Sequence, residues 1–164
     1  MKPKNIVHLG EVPVGDGHRT VFMAETSTFF NQDIDLAKKY VRSIFESGAE
    51  IFKTEILHDP EICIRASGLI SEYSTEHGAN TEEYRDLIDR KVLSLDEYAQ
   101  ILGQCKELSV PFVCSVYDIE GVDFLVDVGA VGIKIARDSI FNMPLIAYAS
   151  ATGLPLIFDA GGIH

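Results

Sequence analysis

The sequence predicts an α/β fold: a parallel sheet whose strands alternate with helices, entered through an N-terminal β-hairpin. Three observations carry this. Runs of strand length recur at residues 49–55, 110–117, 131–136 and 154–159. They are apolar almost throughout rather than alternating, as strands covered on both faces are. Helical segments lie between them, so the order is β-α repeated and ending on β, which indicates parallel crossover units. With the strand before Glu25 this makes five strands, which suit either a doubly wound sheet or five eighths of a (β/α)8 barrel of the TIM type. No G-x-G-x-x-G follows the first strand, which weighs against the dinucleotide-binding form of the former. A whole barrel typically needs about 250 residues, so the 164 residues here are expected to hold only its first five strands, the last without its covering helix.

The elements follow in order. Asn5 to Gly10 reads as a short strand, Val12 to Gly17 as a turn, and His18 to Glu25 as an extended segment whose core is Thr20-Val-Phe-Met-Ala. Together they predict a hairpin leading into a buried strand. From Asp33 to Ser47, Ile34, Ala37, Val41, Ile44 and Phe45 share one helical face. Asn31 or Asp33 can cap that helix, and Gly48 suits the left-handed position after it. Ala49 to Glu55 is the next strand. Residues 57–93 carry no clear period beyond an amphipathic helix near Glu82 to Arg90. Ser94-Leu-Asp-Glu97 is a capping box opening a helix to about Leu108. Val110 to Tyr117 is a strand, and Asp118 caps a helix through Val126 that closes near Gly129. Val131 to Ala136 is a strand. Asn142-Met-Pro144 opens the next helix, with proline in its first turn, and Gly153 ends it. Leu154 to Asp159 is the last strand.

Composition narrows the partners. A formal net charge of -11 argues against nucleic acid or an anionic membrane, both of which need basic surface. Charged residues are 24% of the chain, near the globular average. Cys63, Cys105 and Cys114 have neither zinc-site nor disulfide-framework spacing, which fits reduced thiols in a cytoplasmic protein. Residues 1–20 show no apolar core of a secretory signal, and no apolar run is long enough to span a membrane.

In a parallel barrel the chemistry gathers at the C-terminal ends of the strands. The polar residues there are Glu25; Lys53, Thr54 and Glu55; Ser115, Tyr117 and Asp118; Lys134, Arg137 and Asp138; and Asp159. Lys53 and Lys134 each interrupt an apolar strand. A buried lysine is costly unless paired, so each is either neutralised by a carboxylate such as Glu25 or Glu55, or kept as a point charge for phosphate or carboxylate, or as a Schiff-base nucleophile. Glu25 beside two lysines is a candidate for orienting a hydroxyl or moving a proton. Ser115 can donate to a phosphate oxygen, and Asp118 reads as a helix cap. His8, His18, His58, His77 and His164 have no metal-binding spacing and read as unrelated loop histidines.

From about residue 10 onward the chain resembles the N-acetylneuraminate (sialic acid) synthase family. Ala24-Glu25 matches the family's Ala-Glu-Ile-Gly-x-Asn-His opening, and Ala49-Glu-Ile-Phe-Lys53-Thr matches Ala-Asp-x-Val-Lys-Phe-Gln. Leu93-Ser-Leu-Asp-Glu-Tyr matches Leu-Ser-x-Glu-Glu-Phe, and Phe112-Val-Cys-Ser-Val-Tyr-Asp118 resembles Phe-x-Ser-Thr-Pro-Phe-Asp. Gly132-Ile-Lys134-Ile-Ala with Asn142-Met-Pro-Leu-Ile resembles Lys-Ile-x-Ser-Gly-Glu-x-x-Asn-x-Pro-Leu-Leu. Gly153-Leu-Pro-Leu-Ile-Phe-Asp-Ala-Gly-Gly resembles Gly-Lys-Pro-x-Ile-Leu-Ser-Thr-Gly-Met.

The resemblance implies a barrel enzyme that condenses phosphoenolpyruvate with the aldehyde of an N-acetylmannosamine-like amino-sugar, giving a sialic-type sugar acid. It implies Lys53 and Lys134 as holders of the phosphoenolpyruvate phosphate and carboxylate, Ser115 as a phosphate donor, and Glu25 beside the reacting carbons. It also implies a divalent metal, Mn2+ or Mg2+, on ligands from later strands, a homodimer in the full-length form, and a C-terminal antifreeze-like domain; residues 1–164 would then be the N-terminal part of the barrel and inactive alone. Departures fall at the site. Glu55 replaces a glutamine, Asp159 a serine, and Arg137-Asp138-Ser139 a Ser-Gly-Glu, so that Asp138 takes over a catalytic acid one position early and Arg137 an anion contact. Two other readings stay open: a catalytically degenerate homologue that binds an anion or partner, and another phosphoenolpyruvate or aldolase-type barrel.

Overall fold

The computed structural model describes residues 5–64 and 68–161. Strands β1 (Ile6–Leu9) and β2 (Val12–Gly15) form an antiparallel hairpin. Gly10 makes the turn with a φ of 61°, a left-handed conformation that favours glycine. The chain then enters β3 (Met23–Ser27), α1 (Ile34–Ser47) and β4 (Ile51–Glu55). A second antiparallel hairpin follows, β5 (Ile70–Thr75) and β6 (Gly78–Glu83), before α2 (Tyr84–Asp89) and α3 (Leu95–Glu107). The remainder is β7 (Phe112–Val116), α4 (Ile119–Asp127), β8 (Gly132–Ile135), α5 (Met143–Ala151) and β9 (Leu156–Phe158).

The five-stranded sheet has the order β3-β4-β7-β8-β9, and every pair in it is parallel. The order is sequential, without the reversal that defines a doubly wound sheet. Side chains alternate cleanly between its faces. Phe52, Phe112, Cys114, Val116, Ile133 and Ile135 join the large core with residues of α1, α3, α4 and α5. Ile51, Val113, Met23 and Ile157 point the other way and join Leu9 and Val12 of the first hairpin. With these helices on one face and the sequential order, the sheet is the first five strands of a (β/α)8 barrel. The hairpin plugs its N-terminal end: a Cβ on Gly132 would sit 2.9 Å from Leu9 Cδ2, and one on Gly10 would sit 3.0 Å from Val131 Cγ1.

Helix ends follow local chemistry. Asp33, not Asn31, caps α1 by accepting from the Leu36 amide at 2.8 Å. Ser94 and Glu97 form both halves of the capping box on α3. Asn142 caps α5, and Gly48 closes α1 in the left-handed conformation.

Four expectations are corrected. Val12 to Gly15 is a strand rather than a turn, because Gly10 already turns the chain. The extended segment before Glu25 pairs only from Met23. β3 is half-buried rather than buried, since it and β9 are the sheet's two outer strands and only β4, β7 and β8 are enclosed. Glu82 belongs to β6, not to a helix; α2 starts at Tyr84.

Candidate active site

The inward face of the sheet carries the polar residues in stacked rows. In register across the strands, Glu25, Lys53, Val113 and Gly132 form one row. Glu55, Ser115, Lys134 and Ile157 form the next row, toward the C-terminal ends. Since residues two apart share a face, Tyr117 and Asp159 rise above that row. Lys53, Glu55, Ser115, Lys134 and Asp159 therefore converge, with Glu25 at one side.

Charge is balanced in pairs. The Lys53 side chain is only 5% exposed, and its Nζ is ion-paired with Glu25. Lys134 Nζ lies 3.7 Å from Asp159 Oδ2. Both lysines thus have a carboxylate partner. The Asp159 carboxyl is held below its ordinary range, first by the Gly161 amide and then by the charges of Lys134 and Arg137. Arg137 and Asp138 lie exposed on a 3-10 turn directly after β8, and Ser139 Oγ meets Asp138 Oδ1 at 3.4 Å. Ser115 is 1% exposed, and its Oγ is a buried side-chain polar atom with no hydrogen-bond partner among the described residues. Such an orphan costs free energy, so a donor or acceptor brought into the mouth relieves it.

Two residues gain roles here that the sequence alone did not assign them. Tyr117 lies near Glu55 and Asp138, and burial, then those two charges, push its phenol well above the usual range. His58 is no stray loop histidine. Its ring is 8% exposed and its Nε2 lies 2.9 Å from Asp118 Oδ2, while Asp118 also caps α4 through the Gly121 amide at 2.7 Å. This pair ties the loop after β4 to the loop after β7. β3 ends in a bulge, where Glu25 pairs with Lys53 but Ser27 with Thr54. Ser27 there has a φ of 46°, and Thr26 and Thr28 are buried. His164 lies outside the described residues. Among the described residues no three His, Cys, Asp or Glu converge as a metal site requires.

The profile of the NeuB family matches residues 40–163. The chain belongs to the NeuB family. Among curated NeuB-like relatives, the N,N'-diacetyllegionaminic acid synthase of Campylobacter jejuni is 25% identical over 143 residues, covering 87% of this chain and 42% of that protein. The N-acetylneuraminate-9-phosphate synthase of Drosophila melanogaster is 30% identical over 130 residues, 78% of this chain and 34% of that one. The chain therefore spans about two fifths of the curated relatives it matches. In fold, the N-acetylneuraminic acid (sialic acid) synthetase of Leptospira borgpetersenii superposes with a TM-score of 0.83 at 18% identity, over 98% of this chain and 51% of that chain. A DAHP synthase from Thermotoga maritima superposes with a TM-score of 0.64 at 14% identity, over 94% of this chain and 37% of that one. NeuB membership and these superpositions agree with the barrel segment read from the strand order. No helix among the described residues is long and apolar enough to cross a membrane.

Proposed function

We propose that this chain forms the phosphoenolpyruvate-binding part of a NeuB-type synthase, which joins phosphoenolpyruvate to an N-acetylmannosamine-like aldose to give a nonulosonic sugar acid. The observation that carries the reading is the row of Lys134, Ser115 and Glu55 beside buried Lys53, with Ser115 Oγ unpartnered. Two ammonium groups and one free hydroxyl suit a ligand with a phosphate at one end and a carboxylate at the other. In the structure Glu25 and Asp159 hold the lysines. A ligand carrying two anionic groups replaces them, freeing Glu25 to face the reacting carbons.

In the reaction the family resemblance implies, C3 of phosphoenolpyruvate bonds to the aldehyde carbon, water adds at C2, and the bond from C2 to the phosphate oxygen breaks to release phosphate. Lys53 and Lys134 orient the enol phosphate, Ser115 donates to a phosphate oxygen, and Glu25 handles a proton at the sugar. Asp138 and Arg137, on the turn after β8, stand at the acceptor end. A Mn2+ or Mg2+ ion would polarise the aldehyde, but the described residues do not form a site for it.

The test is the 31P resonance of phosphoenolpyruvate titrated with protein, with inorganic phosphate and pyruvate as competitors. Phosphoenolpyruvate binding tighter than either fragment supports the reading. Pyruvate binding as well as phosphoenolpyruvate, with a lysine adduct trapped by borohydride, would favour an aldolase-type barrel instead.

A further inference from the structure

We propose that Asp159 is a built-in competitor for the ligand's phosphate: its carboxylate stands where that phosphate would meet Lys134 and Ser115, and so sets how tightly the phosphate is held. This deepens the condensation reading above and rests on its anion site. The case begins with where the carboxylate is placed. The Asp159 amide donates to the Ile135 carbonyl oxygen at 3.1 Å, which fixes its backbone against β8. Its Oδ1 accepts from the Gly161 amide at 3.1 Å. Its Oδ2 lies 3.7 Å from Lys134 Nζ, beyond the reach of a hydrogen bond. Charge alone holds that pair, and the ammonium donors are left for a closer acceptor. Ser115 stands in register beside Lys134, 1% exposed and with its Oγ unpartnered. Arg137 adjoins the same place: a Cβ on Gly161 would sit 3.1 Å from Asp159 Oδ1 and 3.7 Å from Arg137 Cδ.

Charge then decides what an entering anion meets. Lys53, Lys134 and Arg137 are set against Glu25, Glu55, Asp138 and Asp159. Three cations against four carboxylates leave one negative charge in excess, so an anion is opposed until a carboxylate gives way. Asp159 gives way at the least cost. Withdrawing Glu25 strands Lys53, which is 5% exposed, whereas Lys134 is 21% exposed and keeps water when Asp159 leaves it. A phosphate presents three acceptor oxygens, enough for Lys134 and Ser115 together. Asp159 presents two, one of them already on Gly161, and Ser115 stays without a partner. The family resemblance places a serine at position 159, which donates to a phosphate instead of competing with it.

The experiment titrates inorganic phosphate and phosphoenolpyruvate into the full chain by calorimetry, in wild type and in Asp159→Ser, Asp159→Asn and Asp159→Glu, with circular dichroism checking each fold. The expected result is phosphate held at least about tenfold tighter by the two neutral variants, the scale of one charge-assisted contact no longer contested. Asp159→Glu, which keeps the carboxylate, gains nothing, and adding Lys134→Met to Asp159→Ser abolishes the gain. A merely structural Asp159 would change stability without raising affinity. Phosphate affinity unchanged or reduced in both neutral variants, a gain that survives Lys134→Met, or no phosphate binding by any folded variant overturns the inference. Wild-type chain that holds phosphoenolpyruvate more tightly than phosphate, with no gain in either neutral variant, defeats this inference alone. A phosphate gain in variants that hold phosphoenolpyruvate no more tightly than phosphate upholds the competitor and defeats the condensation reading.

Discussion

Lys53 shows most directly how stability and function oppose each other here. Its ammonium is nearly inaccessible and depends on Glu25, whose side chain is 41% exposed. Glu25→Gln leaves a buried cation unmatched and is expected to cost on the order of 1–3 kcal/mol, below the cost of breaking a fully buried pair because Glu25 meets water. Lys53→Met should be neutral or stabilising in urea while removing ligand binding; a large loss of stability would show that the pair is a structural bridge. Asp159 gives a pH dependence. Its folded carboxyl titrates below the unfolded value of about 3.9. Its contribution is therefore present above that value and lost as pH falls through the lower folded one. Asp159→Asn should flatten the acid limb of a plot of urea midpoint against pH and leave its slope above neutrality unchanged. The lysines were legible in the sequence because a charge inside an apolar strand has few uses. Tyr117 stands among the polar strand ends in the sequence, but its role depends on Glu55 and Asp138, which lie far from it along the chain. The partner of His58 is 60 residues away, at a distance no local spacing reveals.

Elements with local causes were read well, and those made by pairing alone were not. The Ser94 hydroxyl accepts from the Glu97 amide to cap α3; Ser94→Ala is expected to lower stability by about 1 kcal/mol in chemical denaturation. The hairpin of β5 and β6 escaped notice because almost all its residues are exposed, so neither face carries an apolar alternation. Its register comes from backbone pairing across a Glu76-His77 turn, not from burial. The N-terminal hairpin is the opposite case, seated on the sheet through Leu9. Gly132→Ala would thrust a methyl toward Leu9 Cδ2 and within 3.2 Å of the Pro155 carbonyl oxygen. The expected loss is about 1–3 kcal/mol, with amides of β1 and β2 exchanging faster than those of β4. Uniform exchange across both would show that the hairpin is not a separate plug.

At the scale of the molecule, the sheet is rolled but open. β3 and β9 each pair on one side only. An apolar trough lined by Leu9, Val21, Met23, Ile51 and Ile157 faces away from the helices. Open edges beside apolar surface invite association. The chain is therefore expected to self-associate with rising concentration in sedimentation velocity, and a monodisperse monomer that unfolds cooperatively would contradict this. The barrel type was legible because the strand spacing and motif order run through the whole length, whereas the sheet's curvature and the convergence of its rows depend on register. That convergence is the central claim, and calorimetric titration of phosphoenolpyruvate tests it most directly, on the chain and on Lys53→Ala and Lys134→Ala, with and without Mn2+. Saturable binding abolished in both variants is the predicted result. Binding that persists in either variant, or none in a folded wild-type chain, would contradict the assignment of these two lysines as one anion site.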